Sequence, residues 1–367
     1  MANLNNYYME RLVVPALMLF LMVSCDIASP ILHADVDGEW LITKLEIMDG
    51  GPGKDGIPSI DQPDFVPASE VDFIPNDRLV LGVNINGDIR VYPHQILDWH
   101  EIVNDRVGDT SFSLLHCPLT GTGMAWNREI DGSVTEFGVS GLLFRNNLIA
   151  YDRNTDSHWS QMQLRGVNGP FAGRNVETFQ VIETNWGVWK QLYPDSMVLT
   201  TNTGHDRNYI GYVYGPWYLT NHNAILFPLM NPDDRLENKT RVHGVIGGEH
   251  ATLGVPVKVY VIDEFGEGVR LIEDSVGGDD YLVVGSTSRN FAVAFHRPAD
   301  ESLQFEAVQD QLPVILQDSE GNRWDLFGHA VEGPRTGERL TAARSYTGYW
   351  FAWADFFFMG IEVYRDE

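Results

Sequence analysis

ILDWHEIVNDRVGDTSFSLLHCPLTGTGMAWNR, residues 96–128, carries the pattern from which the fold is read. Pro93 stands just upstream, and Ile96, Leu97, Ile102 and Val103 are spaced through YPHQILDWHEIVND as one buried face of a short helix would require. SFSLLHC and GMAWNRE then form short runs bounded by Gly and Asp turns, which read as strands. Laid without gaps on FGEGVRLIEDSVGGDDYLVVGSTSRNFAVAFHR, residues 265–297, the stretch places Asp105 on Asp274, Val107 on Val276, Ala125 on Ala294 and Arg128 on Arg297. Leu114-Leu115 falls on Val283-Val284.

The same order continues downstream. DSHWSQMQLRGVNGPFAG (156–173) answers GNRWDLFGHAVEGPRTG (321–337), pairing Trp159 with Trp324, Gly169-Pro170 with Gly333-Pro334 and Gly173 with Gly337. Trp186 and Trp189 pair with Trp350 and Trp353, in WGVWKQLYP and YWFAWADFFF, where aromatics three and four apart predict one helix each. Repetition in a fixed order is the signature of duplication. The expectation is an α+β, β-rich fold of two divergent copies of one module, related by pseudo-twofold symmetry. The first copy spans 57–200 and the second 241–367, with 79–199 superposing on 242–364. Between them, 201–240 is an unmatched insertion holding Tyr209, Tyr212, Tyr214, Trp217, Tyr218, His205 and His222. Such a segment is either packed across an interface or a sugar-binding platform or lid.

Upstream, Arg11 precedes an apolar run at 12–24, too short to span a bilayer comfortably and of the length of a signal-peptide core. Met22-Val23-Ser24-Cys25 resembles a lipobox, so residues 1–24 are expected to be a signal peptide and Cys25 a lipidated N-terminus. Residues 25–56, ending in GGPGKDG, then form a tether and lead-in segment. The expected location is the bacterial cell envelope, on a membrane through the lipid. With Cys25 acylated, Cys117 is the only thiol left, and an intramolecular disulfide is impossible. The chain has 51 acidic against 25 basic residues, a net charge of −26. A field of that sign repels phosphate backbones and excludes nucleic acid as a partner. A small molecule, a metal or an envelope protein remain open.

The paired segments also act as a filter. Residues kept in both serve the fold; polar chemistry found in one only is the better functional signal. Cys117 stands against Ser286, His116 against Gly285, His100 against Val269 and Glu101 against Arg270. Cys117 ends a predicted strand, where a thiol can be exposed and a neighbouring cation or metal could lower its pKa. The plain alternative is a small buried hydrophobe. His100-Glu101 invites comparison with H-E-x-x-H, but Asn104 occupies the second histidine position and rules out that zinc site. His100 is then a ligand or base beside Cys117, or a helix-end histidine at the negative end of the dipole. A reversing strand would carry Cys117 back towards the helix start and so towards His94, and both histidines stay candidates. FGVSGL lacks the G-x-S-x-G elbow, and the chain has no P-loop and no C-x-x-C.

DGIPSIDQPDF, GDIRVYPHQILDWHEIVND, HCPLTGT, FGVSGLLFRNNLIAYDR and HWSQM together resemble the signature blocks of the domain-of-unknown-function 3179 family, from Asp55 to the end. The resemblance implies an exported or membrane-associated prokaryotic protein and carries no assigned activity. Two departures stand out. Thr120 occupies a position where the family often has a second cysteine, so a dithiol is impossible, and Phe357-Phe358-Met359 replaces a common FYP ending.

Two functions follow as expectations, and whether the chain is an enzyme stays open. One is a thiol-centred site with Cys117 as nucleophile or ligand, His100 as base and Glu101 beside it. Cys117, His100, His94 and His116 are its metal-ligating candidates, a donor set suited to copper or zinc. The other is a non-catalytic binding module using a groove between the copies and the aromatic insertion.

Overall fold

Short apolar runs between Gly, Asn and Asp turns make hairpins, and hairpins dominate this molecule. The computed structural model describes residues 36–248, 251, 254–300 and 302–366; the apolar run at 12–24 and Cys25, with its expected lipid, lie outside the described residues. The stretch at the centre of the sequence reading forms three antiparallel strands, Ile102–Val107, Thr110–Cys117 and Thr122–Asn127. Gly108 turns the first hairpin at φ +57°, a conformation that glycine adopts without a Cβ penalty. Thr178–Phe179 adds a fourth strand at the far edge. Beside this sheet, Leu79–Ile85 and Asp88–Pro93 pair with Ile182–Asn185 and, in parallel, with Met197–Leu199.

The three predicted helices are present, His94–His100, Trp186–Leu192 and Trp350–Phe356, although Ile102 and Val103, expected on the first, lie in the strand that follows it; a fourth, Gly215–Thr220, lies in the insertion. Two glycines admit the tryptophans. A Cβ on Gly82 would lie 1.7 Å from the Trp189 ring, and one on Gly244 2.4 Å from that of Trp353. Each strand therefore receives an indole ring where a Cβ would otherwise stand.

The expected α+β pair of pseudo-symmetric modules needs correction. Among the described residues 27 strands form seven separate sheets, against four α-helices of six or seven residues, so the fold is β-rich with helices as minor connectors. The sheets fed by the paired motifs differ in size. Those around Phe137–Phe144, Leu79–Ile85 and Thr110–Cys117 have five, five and four strands; those around Val314–Asp318, Arg241–Ile246 and Asp279–Ser286 have four, four and three. The cores also cross the expected boundary. One joins Cys117, Trp126 and Trp159 to Val242, Trp350 and Trp353, and another joins Val91, Trp186 and Trp189 to Leu282, Val293 and Trp324. Repeated motifs specify strands, turns and local register. The partner that covers each apolar face is chosen by whichever surface buries it best, and here that is often the other end of the chain.

Candidate functional site

Pro93, extended at φ −68°, leads into the helix His94–His100, which buries Ile96 and Leu97. The helix stops because Glu101 adopts φ +58°, a left-handed conformation that costs a non-glycine residue about 1–3 kcal/mol. Two backbone bonds hold it there: Glu101 N–H donates to Leu97 O at 2.7 Å, and Glu101 O accepts from His116 N–H at 2.7 Å. The Glu101 side chain is thereby kept inside, 5% exposed. Burial, reinforced by the nearby Asp98 charge, raises its carboxyl from the ordinary range to about 8.

Alternation along Thr110–Cys117 sends neighbouring side chains to opposite faces. Cys117 enters the largest core, with Sγ 3.8 Å from Asn146 O. Burial, then the Glu101 charge, pushes its thiol up to about 11, so at neutral pH it is a thiol and not a thiolate. His116 goes the other way. Its Nε2 lies 3.0 Å from Asp98 Oδ1, and its ring centroid is 4.4 Å from that of His94. His94 Nε2 is 3.0 Å from Glu183 Oε2, although the two are not aligned as a hydrogen bond. Burial, then His116, holds the His94 pKa well below its usual value, so the ring is neutral and its contact with Glu183 is not an ion pair. Glu183 also meets the guanidinium of Arg241.

His100 stands apart from this cluster. Its Nδ1 is 2.8 Å from Pro58 O, which can only accept, so Nδ1 carries the proton. Nε2 therefore accepts from the Tyr209 hydroxyl at 2.7 Å. Burial lowers the ring to about 4, and the neutral imidazole pins the aromatic insertion to the helix end. Of the sequence candidates, then, Glu101 lies close enough to Cys117 for its charge to raise the thiol, His94 and His116 pack at a 53° tilt, and His100 is held by Pro58 and Tyr209. Among the described residues no group of three or more His, Cys, Asp or Glu is arranged to hold a metal ion. The residues present do not fit the expected copper or zinc.

A groove of about 240 Å³ runs between the strands at 81–183 and those at 243–347, lined by Gln180, Glu183, His243, Tyr281, His296 and Thr347 among others. His243 is 3% exposed, with Nδ1 3.2 Å from Thr347 Oγ1 and Nε2 buried without a hydrogen-bond partner. Burial drops its pKa to about 3, so it is neutral. Glu183 Oε2 is likewise buried and without a hydrogen bond. An orphaned buried polar atom costs about 1–3 kcal/mol, and both atoms lie just behind the groove wall, with Glu183 Oε2 turned to His94. Glu183 and His243 escaped the sequence reading. The one available signal for His243 was a lone imidazole in the apolar strand Arg241–Ile246, and Glu183 had none.

The insertion packs over the loop that follows Cys117. Tyr212 Oη donates to Pro118 O at 2.8 Å and Tyr218 Oη to Leu119 O at 2.7 Å, while Tyr212, Tyr214 and Tyr218 form one ring cluster. Its aromatics therefore serve packing, with Trp217 exposed.

No curated protein and no solved structure matches this chain. A family model described as "Protein of unknown function (DUF3179)" matches residues 54–359. The long motifs that surround the helix His94–His100 and the thiol strand all fall inside that span, and the chain belongs to the DUF3179 family of proteins of unknown function.

Proposed function

We propose that the chain is a non-catalytic binding protein of the cell envelope, held to a membrane by a lipid on Cys25, whose groove takes a small neutral or zwitterionic polar ligand. The observation that carries the reading is the groove lining, which brings Gln180, Glu183, His243, Tyr281, His296 and Thr347 together in one cleft. A neutral imidazole and a carboxylate offer both donor and acceptor, and the net charge of −26 opposes an anionic ligand. The thiol-centred reading has weaker support: Cys117 is buried and protonated, and His100 is occupied by Pro58 and Tyr209. The anchor rests on the apolar run and the Met22-Val23-Ser24-Cys25 motif. Among the described residues no helix is long and apolar enough to cross a membrane.

Thermal-shift titration of the mature protein with free amino acids, monosaccharides and short peptides tests the groove. At least one compound raises Tm by mass action, and Ala342→Trp, a half-buried position on the groove, abolishes that rise. A panel without a stabilising compound, or one whose effect survives Ala342→Trp, overturns the reading. Mass spectrometry of the N-terminal peptide decides the anchor separately, since an unmodified N-terminus downstream of Cys25 excludes it.

A further inference from the structure

A separate cavity of about 160 Å³ lies under the aromatic insertion, which contributes Tyr214, Leu226 and Phe227 to its wall. The rest is apolar side chain and glycine, with one exception: Glu101 is the only charged residue that lines it. Its side chain is 95% buried (5% exposed), and among the described residues its carboxyl makes no hydrogen bond and meets no cation. The left-handed φ of +58° keeps it there, because the backbone bonds to Leu97 and His116 fix the residue at the helix exit. A carboxyl held in an apolar cavity with no partner, neutral while the site is empty, becomes half of an ion pair once a cation enters.

The missing half must be a cation. An anion would meet the carboxyl and the overall −26 charge, and an uncharged apolar ligand would leave the carboxyl unpaired. The aromatic residues Tyr214 and Phe227 on the same wall suit a cation with alkyl groups, through attraction to their ring faces. Size favours a small ligand: a cavity of about 160 Å³ admits a compact molecule of several heavy atoms. We propose that this cavity is a binding site for a small organic ammonium ion, with Glu101 as its counter-ion and Tyr214 and Phe227 against its alkyl portion. The site is independent of the groove and does not rest on the reading given for it. Binding moves one proton. The empty site holds Glu101 protonated at pH 7, the bound ammonium favours the carboxylate, and the released proton goes to solvent.

Isothermal titration calorimetry of the mature protein with n-butylammonium chloride, and with n-butanol as the uncharged isostere, tests this. At pH 7, in two buffers of different ionisation enthalpy, butylammonium is expected to bind saturably with release of close to one proton. Glu101→Gln is expected to weaken it at least tenfold, and n-butanol to bind at least tenfold more weakly than the ammonium. Leu226→Trp, at a lining position 44% exposed, is expected to abolish binding by filling the cavity. Circular dichroism establishes that each variant is folded; should Glu101→Gln fail to fold, the wild-type proton release and Leu226→Trp decide the matter. Equal affinity for n-butanol, unchanged affinity in folded Glu101→Gln, binding without proton release, or no binding of butylammonium to the wild type overturns the proposal.

Discussion

At 102–127 and at 270–296 the chain forms two three-stranded antiparallel units in the same register. Val103 opposes Leu114, which opposes Ala125; Ile272 opposes Val283, which opposes Ala294. Each is tied to the neighbouring sheet by an aspartate. Asp105 accepts from Arg90 at 2.7 and 2.8 Å and from Tyr92 Oη at 2.5 Å, while Asp274 accepts from Lys258 at 2.8 Å and Tyr260 Oη at 2.9 Å. At the other end they part. Gly285 has no side chain, and a Cβ there would lie 2.6 Å from the Phe265 ring, so an aromatic closes that end. His116 in the first unit instead reaches Asp98, and Cys117 and Glu101 lie behind it. A β-ladder fixes backbone spacing and is indifferent to the chemistry hung on it. One frame thus carries an apolar seal at one site and a cluster of histidines and buried acids at the other.

The largest expected effect tests the shared part of the comparison. Asp105→Ala leaves Arg90 and buried Tyr92 without their acceptor and is expected to cost about 3–5 kcal/mol, as breaking a buried pair does. Asp274→Ala, where the tyrosine is equally buried but the aspartate itself is more open (16% against 4%), is expected to cost less, about 1–3 kcal/mol. Urea unfolding of the two variants measures this, and equal losses would mean that the deeper burial of Asp105 makes no difference to its tie.

The next effect concerns Glu101, which the second unit lacks. An acid whose folded pKa is raised contributes stability fully present below its unfolded pKa near 4.5 and lost as pH rises through the folded value near 8. Relative to Glu101→Gln, the wild type is expected to lose on the order of 3 kcal/mol between those limits, after allowance for relaxation around the acid. His100 and His243 contribute the opposite slope: lowered to about 4 and about 3, they add stability above pH 6.5 that is lost as pH falls through those values. The difference between wild type and variant isolates Glu101. A flat difference across pH would mean that the acid ionises freely in the fold.

Smaller effects are expected at the thiol. Cys117→Ser places a hydroxyl in the core and is expected to lower stability by about 1–3 kcal/mol. In the wild type, alkylation of Cys117 is expected to follow the unfolding rate, whereas a cysteine introduced as Trp217→Cys, at a position 60% exposed, labels at once. Rapid native labelling of Cys117 would restore the nucleophile reading.

Much of this was legible in residues and their order. Pro93 with Ile96 and Leu97 specified a helix, Gly108-Asp109 a hairpin turn, and the spaced tryptophans two more helices, because each depends on neighbours within a turn or two. The pairing of Leu114 with Val283 in the sequence comparison likewise returned as a shared strand register. Cys117 was legible as an unpaired thiol, and Glu101 as an acid lacking a counterpart at Arg270. What became of them was not.

Sequence by itself determined the local elements, the strongly acidic charge, the presence of Cys117 and membership in a family with long ordered motifs. Only the tertiary structure decided that Cys117 is sealed beside Trp126 and Trp350, and that His100 turns to Pro58 and Tyr209. It also brought Glu183 to His94 and Arg241, and left Glu101 alone in an apolar cavity. The reason is physical. Hydrogen-bonded ladders and helical turns are set by contacts a few residues apart, while desolvation depends on every element packed around a group, and these come from positions as distant as 58, 183, 209, 227 and 350.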